Sequence, residues 1–275
     1  MLPSFLLSLR EGLEAALIIS IVLGALGRLN RSDLKPVVWR GAALAVALSL
    51  LVGIGLNLLG MEFEGQAEEI FEGIAMLLAA GILTWMIFWM QRHGREIKRH
   101  LEDRTRQAAL GTKANALFFL AFLAVFREGV ELALFLLATS LASGLSGTLV
   151  GATLGIGLAS GLGWMLFTTT RRLSVRNFFQ VTSVLLIFFA AGLVGLGVHE
   201  LNEAGWIPAV IEHVYDINFL LDESSQLGQI LKALFGYNGN PSLTEIIAYA
   251  GYFITLGWVT MRNQRSQAQA EAQPA

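Results

Sequence analysis

Long, unbroken apolar runs constrain this chain more than any other feature. They extend for roughly 20 residues or more, enough as helix to cross a hydrocarbon core of ~30 Å, and clusters of charge separate them. Charged residues make up 15% of the 275 positions, against about 25% in soluble proteins. A soluble globular enzyme is excluded. The runs are continuous rather than alternating, which argues against a β-barrel. We read an all-α integral membrane protein with seven transmembrane helices, over residues 3–28, 36–60, 68–91, 114–140, 146–170, 177–199 and 242–261. The first run has no basic leader and is interrupted by Arg10 and Glu11, so it reads as a first span rather than a signal peptide.

Charge sets the direction of the spans. Apart from Arg10, Arg127 and Lys232, all 19 basic residues fall in links 1–2, 3–4 and 5–6 or after the last span. The positive-inside rule makes that side cytoplasmic, with the N-terminus outside and the C-terminus inside. The opposite side is acidic. It carries Glu62, Glu64, Glu68, Glu69 and Glu72 around the 2–3 link, and Glu200, Glu203, Glu212, Asp216, Asp222 and Glu223 in the 6–7 link. Such a face concentrates cations; single residues in it also read as ordinary solvated loop charge. Leu227, Ile230, Leu231 and Leu234, followed by Gly236, predict a short amphipathic helix within the outer loop 200–241. Residues 262–275 read as a disordered cytoplasmic tail. The net charge of -2 gives no basic surface for nucleic acid. The absence of cysteine excludes disulfides, thiolate metal sites and thiol catalysis.

Arg10 and Arg127 lie inside apolar spans, and the sequence repeats around them. Arg10-Glu11-Gly12-Leu13-Glu14-Ala15-Ala16-Leu17 matches Arg127-Glu128-Gly129-Val130-Glu131-Leu132-Ala133-Leu134 at six of eight positions. The two spans run in opposite directions, so the chain reads as an inverted repeat of three plus three helices, residues 3–91 and 114–199, with a seventh added. Transporters of that design place their site where the repeats meet. At 1.5 Å per residue, Glu14 and Glu131 lie ~16 Å and ~14 Å from the outer ends of their spans. Positions i, i+1 and i+4 share a helix face, which groups Arg10, Glu11 and Glu14, and likewise Arg127, Glu128 and Glu131.

Ionisable groups at that depth cost about 2.5–3.5 kcal/mol each and need a partner or a wet cavity. Pairing of each arginine with its own glutamates is the plainer reading. It leaves one carboxylate over in each motif, an excess that a bound cation or protonation resolves. Carboxylates without cysteine make a hard-oxygen site, suited to Mg, Ca, Mn or iron, and spacing alone does not choose among them.

The paired Arg-Glu-x-x-Glu motifs resemble those of the oxidase-dependent iron permeases, a family that includes yeast high-affinity permeases and bacterial ferrous-iron uptake permeases. The resemblance extends over most of residues 1–261. It includes Glu68-Glu69-Ile70-Phe71-Glu72-Gly73, the segment Leu83-Thr84-Trp85-Met86-Ile87-Phe88-Trp89-Met90, and the His199-Glu200 region. It implies import of iron, ferrous or ferric, across the plasma membrane (the inner membrane in bacteria), with iron as transported substrate and no prosthetic group. It implies that both motifs, Arg10, Glu11 and Glu14 with Arg127, Glu128 and Glu131, are needed to bind and pass the ion. Beside it we read Glu68, Glu69 and Glu72 as collecting the cation, Glu11, Glu14, Glu128 and Glu131 as its ligands, and Arg10, Arg127, His199 and Glu200 as supporting them. A periplasmic haem peroxidase and a periplasmic iron-binding protein are implied as partners, beside membrane lipid.

Other signals are weaker. Gly147, Gly151, Gly155, Ala159 and Gly163 form a small-residue stripe that predicts close helix packing. Gly144-Leu145-Ser146-Gly147 with His199 would suit an intramembrane serine protease, but that reading leaves both glutamate motifs unexplained. A permease for manganese or lead is the alternative within transport. Met76, Met86 and Met90 read as packing, and Trp85 and Trp89 as an interfacial belt.

Overall fold

Proline opens the first two long helices, in the first turn where its missing N–H is harmless. The computed structural model describes residues 1–93, 97–110, 114–168, 175–223 and 225–271, and the regular elements among them are helical. The helices are α1 (Leu2–Arg28), α2 (Lys35–Glu62), α3 (Gln66–His93), α4 (Ile97–Leu110), α5 (Ala114–Ser143), α6 (Leu145–Thr168), α7 (Val175–Glu203), α8 (Gln226–Phe235) and α9 (Leu243–Glu271). Each expected span coincides with a helix. Among the described residues, five stretches are long and apolar enough to cross a bilayer: Ser32–Glu62, Gln66–Met90, Leu145–Met165, Phe179–Glu203 and Leu243–Arg262. The helices α1 and α5 match them in length, but each carries three charged residues in its middle, Arg10, Glu11 and Glu14 or Arg127, Glu128 and Glu131.

Small residues set the packing of the two motif helices. Contacts between α1 and α6 advance in the same direction along both: Met1 and Ser4 against Gly151, Phe5 and Ser8 against Gly155, Gly12 against Ala159, Ala16 against Gly163. The two helices therefore run parallel. Between α2 and α5, Gly41 meets Phe118 and Phe122, Ser49 meets Gly129, and Gly53 meets Ala133, which is again a parallel pair. A methyl group on Gly12 would sit 2.7 Å from Ala159 Cβ, and one on Gly163 would sit 2.7 Å from Ala16 Cβ. The small-residue stripe of α6 is thus the seat of α1, as small-residue helix contacts predict. Helix α3 packs on α7 through Gly73 and Gly197.

Two apolar clusters fill the interior. One joins Leu7 of α1 to Met76, Leu83 and Met86 of α3, Phe135 of α5, and Leu186 and Leu193 of α7. The other joins Ile19, Val22 and Leu26 of α1 to Val38 and Ala42 of α2, Ala109 of α4, and Leu117 and Val125 of α5.

The outer loop contains the expected amphipathic helix as α8. Ser225 caps its start, accepting from Gly228 N at 3.0 Å, and Gly236 ends it with φ 65°. Phe235 packs on Phe188 of α7 with centroids 5.5 Å apart, so α8 leans against the bundle. The start of α9 is a reciprocal capping box: Glu245 N donates to Ser242 Oγ at 3.3 Å and Ser242 N donates to Glu245 Oε1 at 3.1 Å.

Two charged segments hold further helix. The basic 3–4 link contains helix α4, which packs near the end of α1; Arg28 pairs with Glu102 at 2.8 Å and Arg31 Nη1 donates to Ala109 O at 2.6 Å. Residues 262–271, expected as disordered tail, continue α9 to Glu271. Their Arg, Gln, Ala and Glu residues are strong helix formers, and proline comes only at Pro274. Residues 272–275, and the basic pair Arg171 and Arg172, lie outside the described residues.

Candidate metal centre

The charged middle of α1 meets that of α5. Glycine at position three of each motif lets α6 or α2 approach one side of the helix, and the acidic face turns the other way. Glu14 lies twelve residues after the start of α1, and Glu131 twelve before the end of α5. At 1.5 Å rise both sit about 18 Å from those ends. Arg10 is fully buried, and Glu11, Glu128 and Glu131 are 1%, 5% and 8% exposed.

One carboxylate oxygen from each of Glu11, Glu128 and Glu131 lies within 4.8 Å of the other two. Glu14 adjoins them, close enough to repel Glu131 and Glu128. Arg10 Nη1 is 3.3 Å from Glu11 Oε1, and Nη2 is 3.4 Å from Glu14 Oε1. Arg127 Nε donates to Glu131 Oε1 at 2.7 Å and lies 3.9 Å from Glu128 Oε1. Among the described residues, the buried oxygens Glu11 Oε2, Glu128 Oε2 and Glu131 Oε2 have no hydrogen-bond partner, and Glu14 Oε1 has only its ion pair with Arg10. Buried acceptors left this way are costly. Converging carboxylates with free lone pairs are the donor set that a hard divalent cation needs. Four glutamates and two arginines sum to -2 when all are ionised, which such an ion neutralises.

The site is closed along the helices. Leu7 and Phe135 belong to the apolar cluster on one side of it, Ile19 and Val125 to the cluster on the other. A mainly apolar groove of about 910 Å³ runs beside it, lined by Trp39, Leu50 and Ile54 of α2 and by Leu149, Ile156 and Trp164 of α6, and its lining includes Glu11 and Glu128.

The outer acids form a separate cluster. Glu68 is exposed, while Glu69 and Glu72 are half-buried at the start of α3. Glu72 faces Glu200 and Glu68, and Glu200 also faces Glu69, so α3 and α7 together build this acidic patch. Met86, which touches Arg10, lies fourteen residues further along α3 than Glu72, about 21 Å of helix. His199 borders the outer patch, close enough to attract Glu200, with Nδ1 3.1 Å from Glu245 Oε1 and Nε2 3.7 Å from Glu203 Oε1. Ser146 is exposed at the start of α6, and neither described partner of His199 is Ser146.

Sequence reasoning missed how α3 treats the arginines. Met86 Sδ accepts from Arg10 Nη1 at 3.3 Å, and Met90 Sδ lies 3.7 Å from Nη2. The Arg127 guanidinium carbon lies 4.8 Å from the Trp89 ring centroid and 5.7 Å from that of Trp85. These methionines are therefore more than packing, and the tryptophans more than a belt. The i, i+4 recurrence of Trp and Met at 85, 86, 89 and 90 was the available signal.

The model of the iron permease FTR1 family matches residues 1–262. Proteins described as ferrous iron permease EfeU from Escherichia coli and Shigella sonnei are each 38% identical over 256 residues, covering 92% of this chain and 93% of theirs. One of the same description from Yersinia pestis is 36% identical over 256 residues, covering 92% of this chain and 91% of its own. No solved structure matches the chain. With permeases as relatives and several helices able to cross a bilayer, this is a multi-pass membrane protein. The chain belongs to the iron permease FTR1 family.

Proposed function

We propose that this chain imports ferrous iron across the cytoplasmic (inner) membrane through the carboxylate cluster between α1 and α5. The observation that carries the reading is the convergence of Glu11, Glu128 and Glu131 within 4.8 Å, each with an oxygen lacking a hydrogen-bond partner. The outer acids Glu68, Glu69 and Glu72, with Glu200, gather the cation. Glu11, Glu14, Glu128 and Glu131 replace part of its hydration shell. Arg10 and Arg127 hold those carboxylates apart while the site is empty, and His199 steadies the outer ends of α7 and α9. The apolar clusters around Leu7 and Ile19 part in turn to admit and release the ion.

The reading takes seven helices as spanning, α1 to α3, α5 to α7 and α9, with the N-terminus outside and the C-terminus in the cytoplasm, as the basic links favour. It takes the first and second triplets as an inverted repeat. The contact register supports this. An offset of 117 residues carries Met1, Gly12 and Ala16 to Phe118, Gly129 and Ala133, and an offset of 110 carries Gly41, Ser49 and Gly53 to Gly151, Ala159 and Gly163. Three of the four α1–α6 contacts thus have their counterpart between α5 and α2. Residues 1–261 act as one permease unit. A periplasmic haem peroxidase and a periplasmic iron-binding protein deliver the ion to its outer face.

Uptake of radioactive ferrous iron into proteoliposomes tests the proposal, with manganese, zinc and ferric iron as competitors. Glu14→Gln and Glu131→Gln should insert normally and transport nothing. Normal uptake by either variant, or equal uptake of manganese, would overturn it.

A further inference from the structure

One stretch of α3 touches both motif arginines, and it does so with uncharged groups. Met86 and Met90 lie four residues apart and present their sulfurs to Arg10. Trp85 and Trp89, also four apart and one position round the same helix, present their ring faces to Arg127. Each guanidinium therefore lies between carboxylates on one side and neutral, polarisable partners on the other. The ion pairs described for Arg10 and for Arg127 are each with acids of their own motif, and Glu14 of the first motif also lies close enough to attract Arg127.

The chemistry of those partners matters. An acid on α3 would neutralise the arginine and weaken its hold on the glutamates. A thioether or an indole face attracts a guanidinium without cancelling its charge. It also gives the guanidinium somewhere to stay once the glutamates have turned to a metal ion. A cation among Glu11, Glu128 and Glu131 repels both arginines and takes over their carboxylate partners. Without a neutral seat nearby, each guanidinium would have to remain on its glutamate and compete with the ion.

We infer that Trp85, Met86, Trp89 and Met90 of α3 are positioning residues that cradle Arg10 and Arg127 and receive them when iron displaces them from the glutamates. The inference rests on the iron-permease reading. Its direct consequence concerns apparent affinity: weakening the cradle leaves the arginines on the carboxylates and raises the KM for iron, while the maximal rate is set elsewhere.

The test is ferrous-iron uptake in proteoliposomes by Met86→Leu/Met90→Leu, which keeps volume and apolarity but removes the acceptors, and by Trp89→Phe beside Trp89→Leu. The methionine-to-leucine swaps conserve volume and apolarity, so membrane abundance and melting temperature of that variant should stay near wild type, whereas both Trp89 variants remove volume and are compared with each other. The double methionine variant should show a KM raised about tenfold, equivalent to ~1.4 kcal/mol, with the maximal rate within about twofold of wild type. Trp89→Phe retains an aromatic face and should keep most of the affinity that Trp89→Leu loses. An unchanged KM in the methionine variant, or equal impairment of the two Trp89 variants, would overturn the cradle. If the methionine variant misfolds, the Trp89 pair decides alone. Wild type and Glu131→Gln are assayed in the same vesicles. No uptake by wild type removes the permease reading itself, whereas active wild type, inactive Glu131→Gln and unaltered cradle variants remove only this inference.

Discussion

Arg10 offers the sharpest test of how the charged layer is held. It is fully buried, 3.3 Å from Glu11 and 3.4 Å from Glu14. Replacing it with leucine strips both carboxylates of their cation and leaves four glutamates facing the single charge of Arg127. Removing one partner of a buried ion pair costs about 3–5 kcal/mol. At ~2 °C per kcal/mol for a chain of this size, the thermal midpoint should fall by about 6–10 °C. The second change is Glu11→Leu in the same chain. Replacing a whole buried pair by apolar side chains is often neutral or stabilising, so Arg10→Leu/Glu11→Leu should recover at least half of the loss. Iron uptake should be absent in both variants. The assay is thermal unfolding of purified protein in detergent, followed by fluorescence and by loss of monodispersity. A single variant that melts within 2 °C of wild type, or a double variant less stable than the single, would refute the view of Arg10 as a charge clamp.

Two further predictions follow from the packing and the outer face. Gly12→Leu should lower the yield of monodisperse protein, because even a methyl group there meets Ala159 Cβ at 2.7 Å and overpacking costs about 1–3 kcal/mol. Gly24→Leu in the same helix meets nothing within 4 Å and should behave as wild type, so equal yields from the two would count against the α1–α6 contact. Converting Glu68, Glu69 and Glu72 together to glutamine should raise the KM for iron at low ionic strength. The difference should shrink as salt shortens the Debye length from about 10 Å at 0.1 M to about 3 Å at 1 M, and a salt-independent effect would mean that these residues do more than attract.

The helices were legible in the sequence because each carries its own signal. Apolar runs mark the long ones, Pro3 and Pro36 mark two starts, and Ser242 with Glu245 marks a third. Helix α8 announced itself through its leucine spacing and Gly236. The glutamates of the candidate site were legible too, since a charge inside an apolar run is conspicuous wherever the chain folds. Helix α4 was not, because its charged residues look like a link until Thr105 and Ala109 are buried against the bundle.

What the sequence determined by itself is therefore local: which stretches are helical, which faces are acidic, and that two motifs are copies. Tertiary structure decided the partners. The glycines of the Arg-Glu-Gly motifs are ordinary until α6 and α2 press on them, and the methionines and tryptophans of α3 look like lipid-facing packing until Arg10 and Arg127 arrive from helices 76 residues before and about 40 residues after. Contacts between distant segments depend on how close two helix axes come. Small residues at the interface set that distance, and a single helix, read alone, contains no record of its neighbour.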